Sequence, residues 1–244
     1  MERFAVIADI HGNALALEAV LADIARLGIA RVVNLGDVFS GPLDPAGVWA
    51  QLEPLDLLTV RGNHDRALVD YPPEEMWETD RETLPLLPAA ALDWIRGLPV
   101  EARIGDVYLC HATPGADEVY WAEEVADGGM RMAPLAQIEE FAAGVTESLM
   151  LCGHTHIPRV VRLSDGRLLV NPGSVGCPGY TDDREPAHVM QTGTPLASYA
   201  VVGGGAGSWV VEHRQVPYDW RAAADQARAM GRADWAKVVE TGLL

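Results

Sequence analysis

The chain opens on RFAVIADIHG (3–12), an apolar run that ends in a polar cluster, the pattern of a strand buried on both faces. ALALEAVLADIARLG follows with apolar residues at helical spacing and a closing glycine. It predicts a helix from Ala14 to Leu27 that ends near Gly28. ARVVNLGD repeats the strand pattern, and DPAGVWAQL predicts a short helix with Asp44 as N-cap and Pro45 in its first turn. LDLLTVRGNHD is a third strand running into a loop. Strands alternating with helices over about 60 residues predict parallel pairing through right-handed crossovers.

From Asp70 to Gly97 the pattern is punctuated by proline and helical in pieces, AAALDWIRGL being the best of them. VEARIGDVYLCH predicts a hairpin that turns at Gly105-Asp106. SLMLCG, RVVRL, RLLVN, ASYAVVG and SWVVEHRQV read as further strands, with a tight turn at SDGR. The first half is thus parallel α/β and the second mostly antiparallel β. No Ser/Gly-rich or charge-rich linker divides them. The expectation is one α/β domain over residues 1–244: two packed mixed β-sheets flanked by helices, a four-layer αββα sandwich, with 217–244 as a C-terminal helical tail. GGGAG at 203–207 lies between two strands, so it reads as a hairpin loop and not as a dinucleotide fingerprint.

Composition narrows the chemistry. Hydrophobic residues at 49% and charged residues at 22% suit a globular enzyme. No apolar run approaches the ~20 residues of a membrane span, and the start lacks the pattern of a signal peptide. Cys110, Cys152 and Cys177 cannot all pair within one chain, and two of them lie in strand-like runs. Buried reduced thiols in a cytoplasmic protein are expected. Eighteen Lys+Arg against 35 Asp+Glu give a net charge of −17, a surface that repels duplex nucleic acid, so none is expected as a partner. A phosphate ligand would then need a concentrated positive charge, such as a bound metal.

The ends of the apolar runs supply the candidates. They finish in Asp9-Ile10-His11, Gly36-Asp37, Gly62-Asn63-His64-Asp65, Cys110-His111 and Gly153-His154-Thr155-His156. Five strand ends carry Asp, His or Asn, the side chains that ligate divalent metals, at the place where open α/β sheets bind ligands. On an extended segment His154 and His156, two apart, would share one side. Taken in order, D-x-H, G-D, G-N-H-D, H and G-H-x-H resemble the signature of the calcineurin-like metallophosphoesterases. VIADIHGNALALEAVLADI and VNPGSVG resemble the small bacterial branch of that superfamily, and the resemblance runs from Arg3 to Val216.

That resemblance implies two divalent metal ions, Mn, Fe or Zn. Asp9, His11 and His156 would hold the first, Asn63, His111 and His154 the second, and Asp37 would bridge them. His64 would face the leaving group, with Asp65 as its orienting partner. The reaction implied is hydrolysis of a small phosphorylated substrate by a hydroxide that bridges the metals. A bridging carboxylate suits two cations ~3.5–4 Å apart, and the metals neutralise charge developing on the phosphoryl oxygens. Protein phosphatases of the superfamily resemble GDxVDRG and GNHE, where this chain has GDVFSGP and GNHD. The missing arginine turns the expectation from a phosphomonoester to a phosphodiester, with Arg61 and Arg184 as candidate replacements. A non-catalytic scaffold of the same fold is disfavoured by the presence of His64 and of every expected ligand. Segments 114–132 and 177–196 are long for loops and leave from the metal edge. They read as walls for the substrate or as an interface in a homo-oligomer.

Overall fold

The computed structural model describes residues 3–126, 129–205 and 207–244. In the first sheet β1 (Phe4–Ile7) lies centrally, parallel to β2 (Arg31–Asn34), which pairs in turn with the short β3 (Leu58–Thr59). On its other side β1 runs antiparallel to β13 (Ala197–Gly203), and β14 (Val210–Val216) forms the edge. The second sheet has the order β4 (Glu101–Ile104), β5 (Val107–Cys110), β8 (Leu149–Leu151), β10 (Leu168–Asn171), β9 (Arg159–Arg162). Its hairpins, β4–β5 and β9–β10, are antiparallel as expected. The pairs β5–β8 and β8–β10 are parallel, so the second half is a mixed sheet and not mostly antiparallel.

Side-chain alternation builds the layers. Phe4 and Val6 of β1, Val107 and Leu109 of β5, and Ala200 and Val202 of β13 meet in one core between the two sheets. The alternate residues face outwards. Ala5, Ile7, Tyr199 and Val201 pack under α1 (Ala14–Arg26), α2 (Pro45–Leu52), α3 (Asn63–Asp70) and α5 (Ala89–Arg96). Tyr108, Cys110 and Met150 pack under α6 (Leu135–Phe141). Each fully buried aliphatic side chain contributes ~1.5–3 kcal/mol, and a shift of one residue would turn the wrong face of β1 to each core. The four-layer αββα sandwich is therefore the fold.

The caps form as the local pattern predicts. Asp44 accepts the Gly47 amide at 2.8 Å, and α1 ends before Gly28, whose φ is +67°. The region 70–97 holds α4 (Glu78–Thr83), a 3₁₀ turn and α5. The tail forms α7 (Trp220–Ala229), capped by Asp219, and α8 (Ala233–Thr241). Among the described residues no helix is long and apolar enough to cross a membrane.

Three further expectations change. GNHD does not continue as a loop, because α3 begins at Asn63. Segment 114–132 contains a hairpin, β6 (Glu123–Ala126) with β7 (Gly129–Met132), although residues 127–128 lie outside the described ones. Segment 177–196 contains another, β11 (Gly179–Asp182) with β12 (His188–Gln191). GGGAG joins β13 to β14, and its residue 206 is likewise not described.

Candidate metal centre

Among the described residues, the non-glycine positions with left-handed backbone are Asp9, His11, Asp37, His154 and His156, with φ of +55°, +49°, +54°, +68° and +59°. All five are candidate ligands. Each such residue costs about 1–3 kcal/mol and persists only where its surroundings over-determine it. Here the loops hold one another. The Asp9 amide donates to Gly36 O at 3.0 Å, that of His11 to Asp37 O at 3.1 Å, and that of Gly153 to His111 O at 2.7 Å. The two histidines of GHTH therefore do not meet by strand alternation. β8 stops at Leu151, and two left-handed bends aim the rings.

Glycine makes the Asp37 turn possible. A Cβ on Gly36 would lie 2.5 Å from the Gly62 nitrogen, and one on Gly62 would lie 2.2 Å from Asp37 Oδ1. With no side chain at either position, Asp37 seats against the start of α3 and its Oδ1 accepts the His64 amide at 2.9 Å. Its Oδ2 then lies 3.2 Å from His111 Nε2 and 3.9 Å from His11 Nε2.

Two donor groups result. The ligand atoms of Asp9, His11 and His156 lie within 4.8 Å of one another, as do those of Asp37, His111 and His154. Asn63 Oδ1 is 3.0 Å from His111 Nε2. The tautomers favour a cation. His11 Nδ1 donates to Ser40 O, His111 Nδ1 to Leu35 O and His156 Nδ1 to Cys177 O, each at 2.7 Å. A carbonyl can only accept, so each Nδ1 carries the proton. Burial keeps His11 and His156 neutral, the former down at about 4 and the latter far below its ordinary range, despite the Asp37 charge. Their bare Nε2 lone pairs nevertheless face each other at 3.1 Å. That arrangement repels unless positive charge lies beside them. His154 Nε2 is buried without a hydrogen-bond partner, which also suits a metal ligand. The donor set fits two cations of the Mn, Fe or Zn type.

The remaining groups divide unevenly between the charge states. Burial pushes Asp9 up despite the charge of His111. Burial acts against ionised Asp37 too, but His111 and His64 outweigh it and hold the carboxylate well below its usual range. His111 is raised to about 10, because Asp37 overcomes the desolvation of its imidazolium.

His64 lies beside these groups, and its partner is not Asp65. Its Nδ1 is 2.7 Å from Oδ1 of Asp80, a fully buried carboxylate on α4 that also accepts from the Ser40 hydroxyl. Burial lowers the His64 pKa, but Asp80 and Asp37 reverse that and raise it to about 9. Asp65 instead accepts the amides of Asp37 at 2.8 Å, Val38 at 3.0 Å and Gly62 at 3.0 Å. Consecutive residues on a helix do not face each other, so Asp65 cannot turn to the ring of His64. It staples the Asp37 loop to α3.

A cavity of about 560 Å³ opens beside both donor groups, with Trp77, Tyr120, Tyr180 and Trp235 on its walls. Tyr120 lies over His154 and Tyr180 against His156, with ring centroids 5.0 and 4.8 Å apart. The two long segments thus supply walls. Arg184 reaches the cavity mouth, forked on Asp182 and on Glu118 at 2.7 Å, whereas Arg61 turns to Asp70 at 3.3 Å. Asp80, Trp77 and Trp235 were not legible as site residues. In ETDRET an aspartate reads as a solvated helix charge, and Trp235 lies in a tail beyond the motifs.

The αββα sandwich with paired Asp/His groups on its strand ends defines a protein of the metallophosphoesterase class. The family model of the calcineurin-like phosphoesterase superfamily domain matches residues 3–194, and the chain belongs to that superfamily. An uncharacterized protein of Methanocaldococcus jannaschii is 31% identical over 199 residues, covering 71% of this chain and 76% of that one. A metallophosphoesterase from Sphaerobacter thermophilus is 25% identical, with a TM-score of 0.76 and 99% of both chains covered. A hypothetical protein from Pyrococcus horikoshii shares the fold at 21% identity, again with a TM-score of 0.76 and 99% coverage of both.

Proposed function

We propose that the chain hydrolyses a small-molecule phosphodiester at a centre of two divalent cations. Asp9, His11 and His156 hold one cation, Asn63, His111 and His154 the other, and Asp37 serves both. The observation that carries this reading is Asp37 Oδ2, which lies between the donor groups while Oδ1 is anchored on the His64 amide. When bound, the cations withdraw charge from the phosphoryl oxygens and activate water for in-line attack. The water gives up one proton to solvent, and a bond forms from its oxygen to phosphorus as the bond to the leaving oxygen breaks. His64, with Nδ1 on Asp80, gives its Nε2 proton to the leaving alkoxide.

The charge around the site favours a diester. Ser40 and Gly41 occupy the stretch after Asp37 where protein phosphatases of the superfamily carry an arginine. Ser40 is committed to Asp80, and at Gly41 a Cβ would lie 2.0 Å from the His11 carbonyl oxygen. Arg184 and Arg232 at the cavity wall are both bonded to carboxylates. A monoester dianion would therefore find no uncommitted guanidinium there among the described residues. Bis-p-nitrophenyl phosphate and p-nitrophenyl phosphate, each with Mn²⁺ and then EDTA, test this. The diester should be cleaved more efficiently, and chelation should abolish cleavage. Tenfold higher efficiency on the monoester would reverse the preference, and turnover that persists in EDTA would remove the metal centre from the reaction.

A further inference from the structure

Four aromatic rings run in file across the cavity. Trp235 of α8 lies against His11 with centroids 6.0 Å apart, His11 against His64 at 5.4 Å, and His64 against Trp77 at 4.9 Å. The inner pair belongs to the centre described above. The outer pair holds no metal and moves no proton, yet both rings are only partly buried and line the cavity. Arg232 fixes the two ends relative to each other. It donates to Glu82 of α4 at 2.7 Å, to Thr79 at 3.3 Å and to Asp234, the neighbour of Trp235, at 2.7 Å. The ends of the file are thus spaced before a ligand arrives, which spares the ordering cost of binding.

The two outer rings differ in what already covers them. Trp77 carries the Arg184 guanidinium 5.6 Å over its ring. Among the described residues no such cation covers Trp235. Gly41 passes beside it, close enough that a Cβ there would touch Trp235 Cη2 at 3.5 Å. Charge limits what can lie in the cavity. Glu78, Asp182, Asp183 and Asp234 line it against two guanidiniums, Arg184 and Arg232, which are themselves shared among Asp182, Glu118, Glu78, Glu82 and Asp234, so carboxylates outnumber cations there. A substrate arm bearing further phosphates would meet that excess of carboxylates, whereas an uncharged flat ring would meet the exposed part of an indole whose other side packs on the α7–α8 cluster. About 560 Å³ is ample for one nucleoside monophosphate, within the ~300–1,000 Å³ of small-ligand sites.

Resting on the phosphodiesterase reading above, we propose that Trp235 is the specificity platform of the site. It stacks the uncharged base of a nucleoside monophosphate ester, and the carboxylate mouth turns away substrates with additional phosphates. Two diesters with one common leaving group separate recognition from chemistry: the p-nitrophenyl ester of thymidine 5′-phosphate, and ethyl p-nitrophenyl phosphate. The Mn²⁺-loaded protein should favour the nucleoside ester by about tenfold in kcat/KM, within the range that stacking one base on an aromatic side chain contributes. Trp235→Ala should bring that ratio close to one, and Trp235→Phe should retain most of it. Trp220→Ala, on the same helical hairpin but outside the cavity, should leave it unchanged.

A binding measurement stands apart from turnover. Calorimetric titration with adenosine should report binding that Trp235→Ala weakens at least about fivefold, again the scale of one lost stacking contact. With metal in excess, adenosine 5′-triphosphate should inhibit less tightly than adenosine 5′-monophosphate. A ratio near one in the unmodified protein, or one that survives Trp235→Ala, overturns the proposal. So does a choline or glycerol ester preferred over the nucleoside ester, adenosine binding indifferent to Trp235, or tighter inhibition by the triphosphate. If neither diester is cleaved, it is the phosphodiesterase reading that fails, and the adenosine titration still decides the role of Trp235.

Discussion

Asp80→Asn tests the site at the contact that least resembles its sequence neighbourhood. The substitution preserves shape and removes one buried charge 2.7 Å from His64 Nδ1. His64 titrates at about 9 because Asp80 and Asp37 overcome the desolvation that acts the other way. At pH 8 such an imidazole is about 90% protonated, whereas at its ordinary value of about 6.5 the protonated share is about 3%. With Asp37 left to offset desolvation, a return of His64 to that ordinary value costs about 30-fold in rate at pH 8, close to 2 kcal/mol of barrier. Bound dications lower both values together. Once both lie below the working pH, the same separation corresponds to about 300-fold. The assay is kcat on an alkyl diester, whose leaving oxygen needs a proton, beside kcat on bis-p-nitrophenyl phosphate, whose leaving group does not. The loss should fall on the alkyl diester, grow with pH and leave two metal equivalents bound. An alkyl rate within threefold of the unmodified protein, or equal losses on both substrates, would refute the reasoning.

Other outcomes follow from the same geometry. Asp37→Ala removes the carboxylate between the donor groups and should lose more than one metal equivalent by elemental analysis; two retained metals would contradict the shared-ligand reading. Asp65→Asn should weaken metal binding with little effect on leaving-group dependence, because that carboxylate holds the amides of Asp37, Val38 and Gly62 and not His64. In the metal-free chain Asp9, His64 and His111 hold protons to about 8, 9 and 10, and the unfolded chain releases them earlier. The folded form then binds more protons above pH 6.5, so its stability should fall towards pH 9 by ~1.4 kcal/mol per pH unit for each group still protonated. Melting in EDTA should show that fall, and Mn²⁺, which binds the deprotonated ligands, should reverse it; a metal-free Tm that rises over this range would contradict it.

What the sequence determined by itself is local. Apolar runs that alternate between two buried faces, Asp44 as a cap, and Gly28 at a helix end depend on residues within a turn or two. The order of Asp9, His11, Asp37, Asn63, His64, His111, His154 and His156 was equally legible, because each lies just beyond an apolar run. Only tertiary structure decided how those residues meet. Left-handed backbone at five ligands is imposed by neighbouring loops and has no signature in single residues beyond the tolerance of Asp and His for it. Nothing within a few residues of His64 marks Asp80 as its partner, since the contact spans 16 positions and depends on where α4 lands. Asp65, one residue away, is turned aside by the helix that carries both. Trp235 reaches His11 across more than 200 residues because α8 folds back over the cavity. Short-range order follows from steric and hydrogen-bonding rules that act within a turn, whereas side-chain partnership across the chain is set by the packing of whole layers.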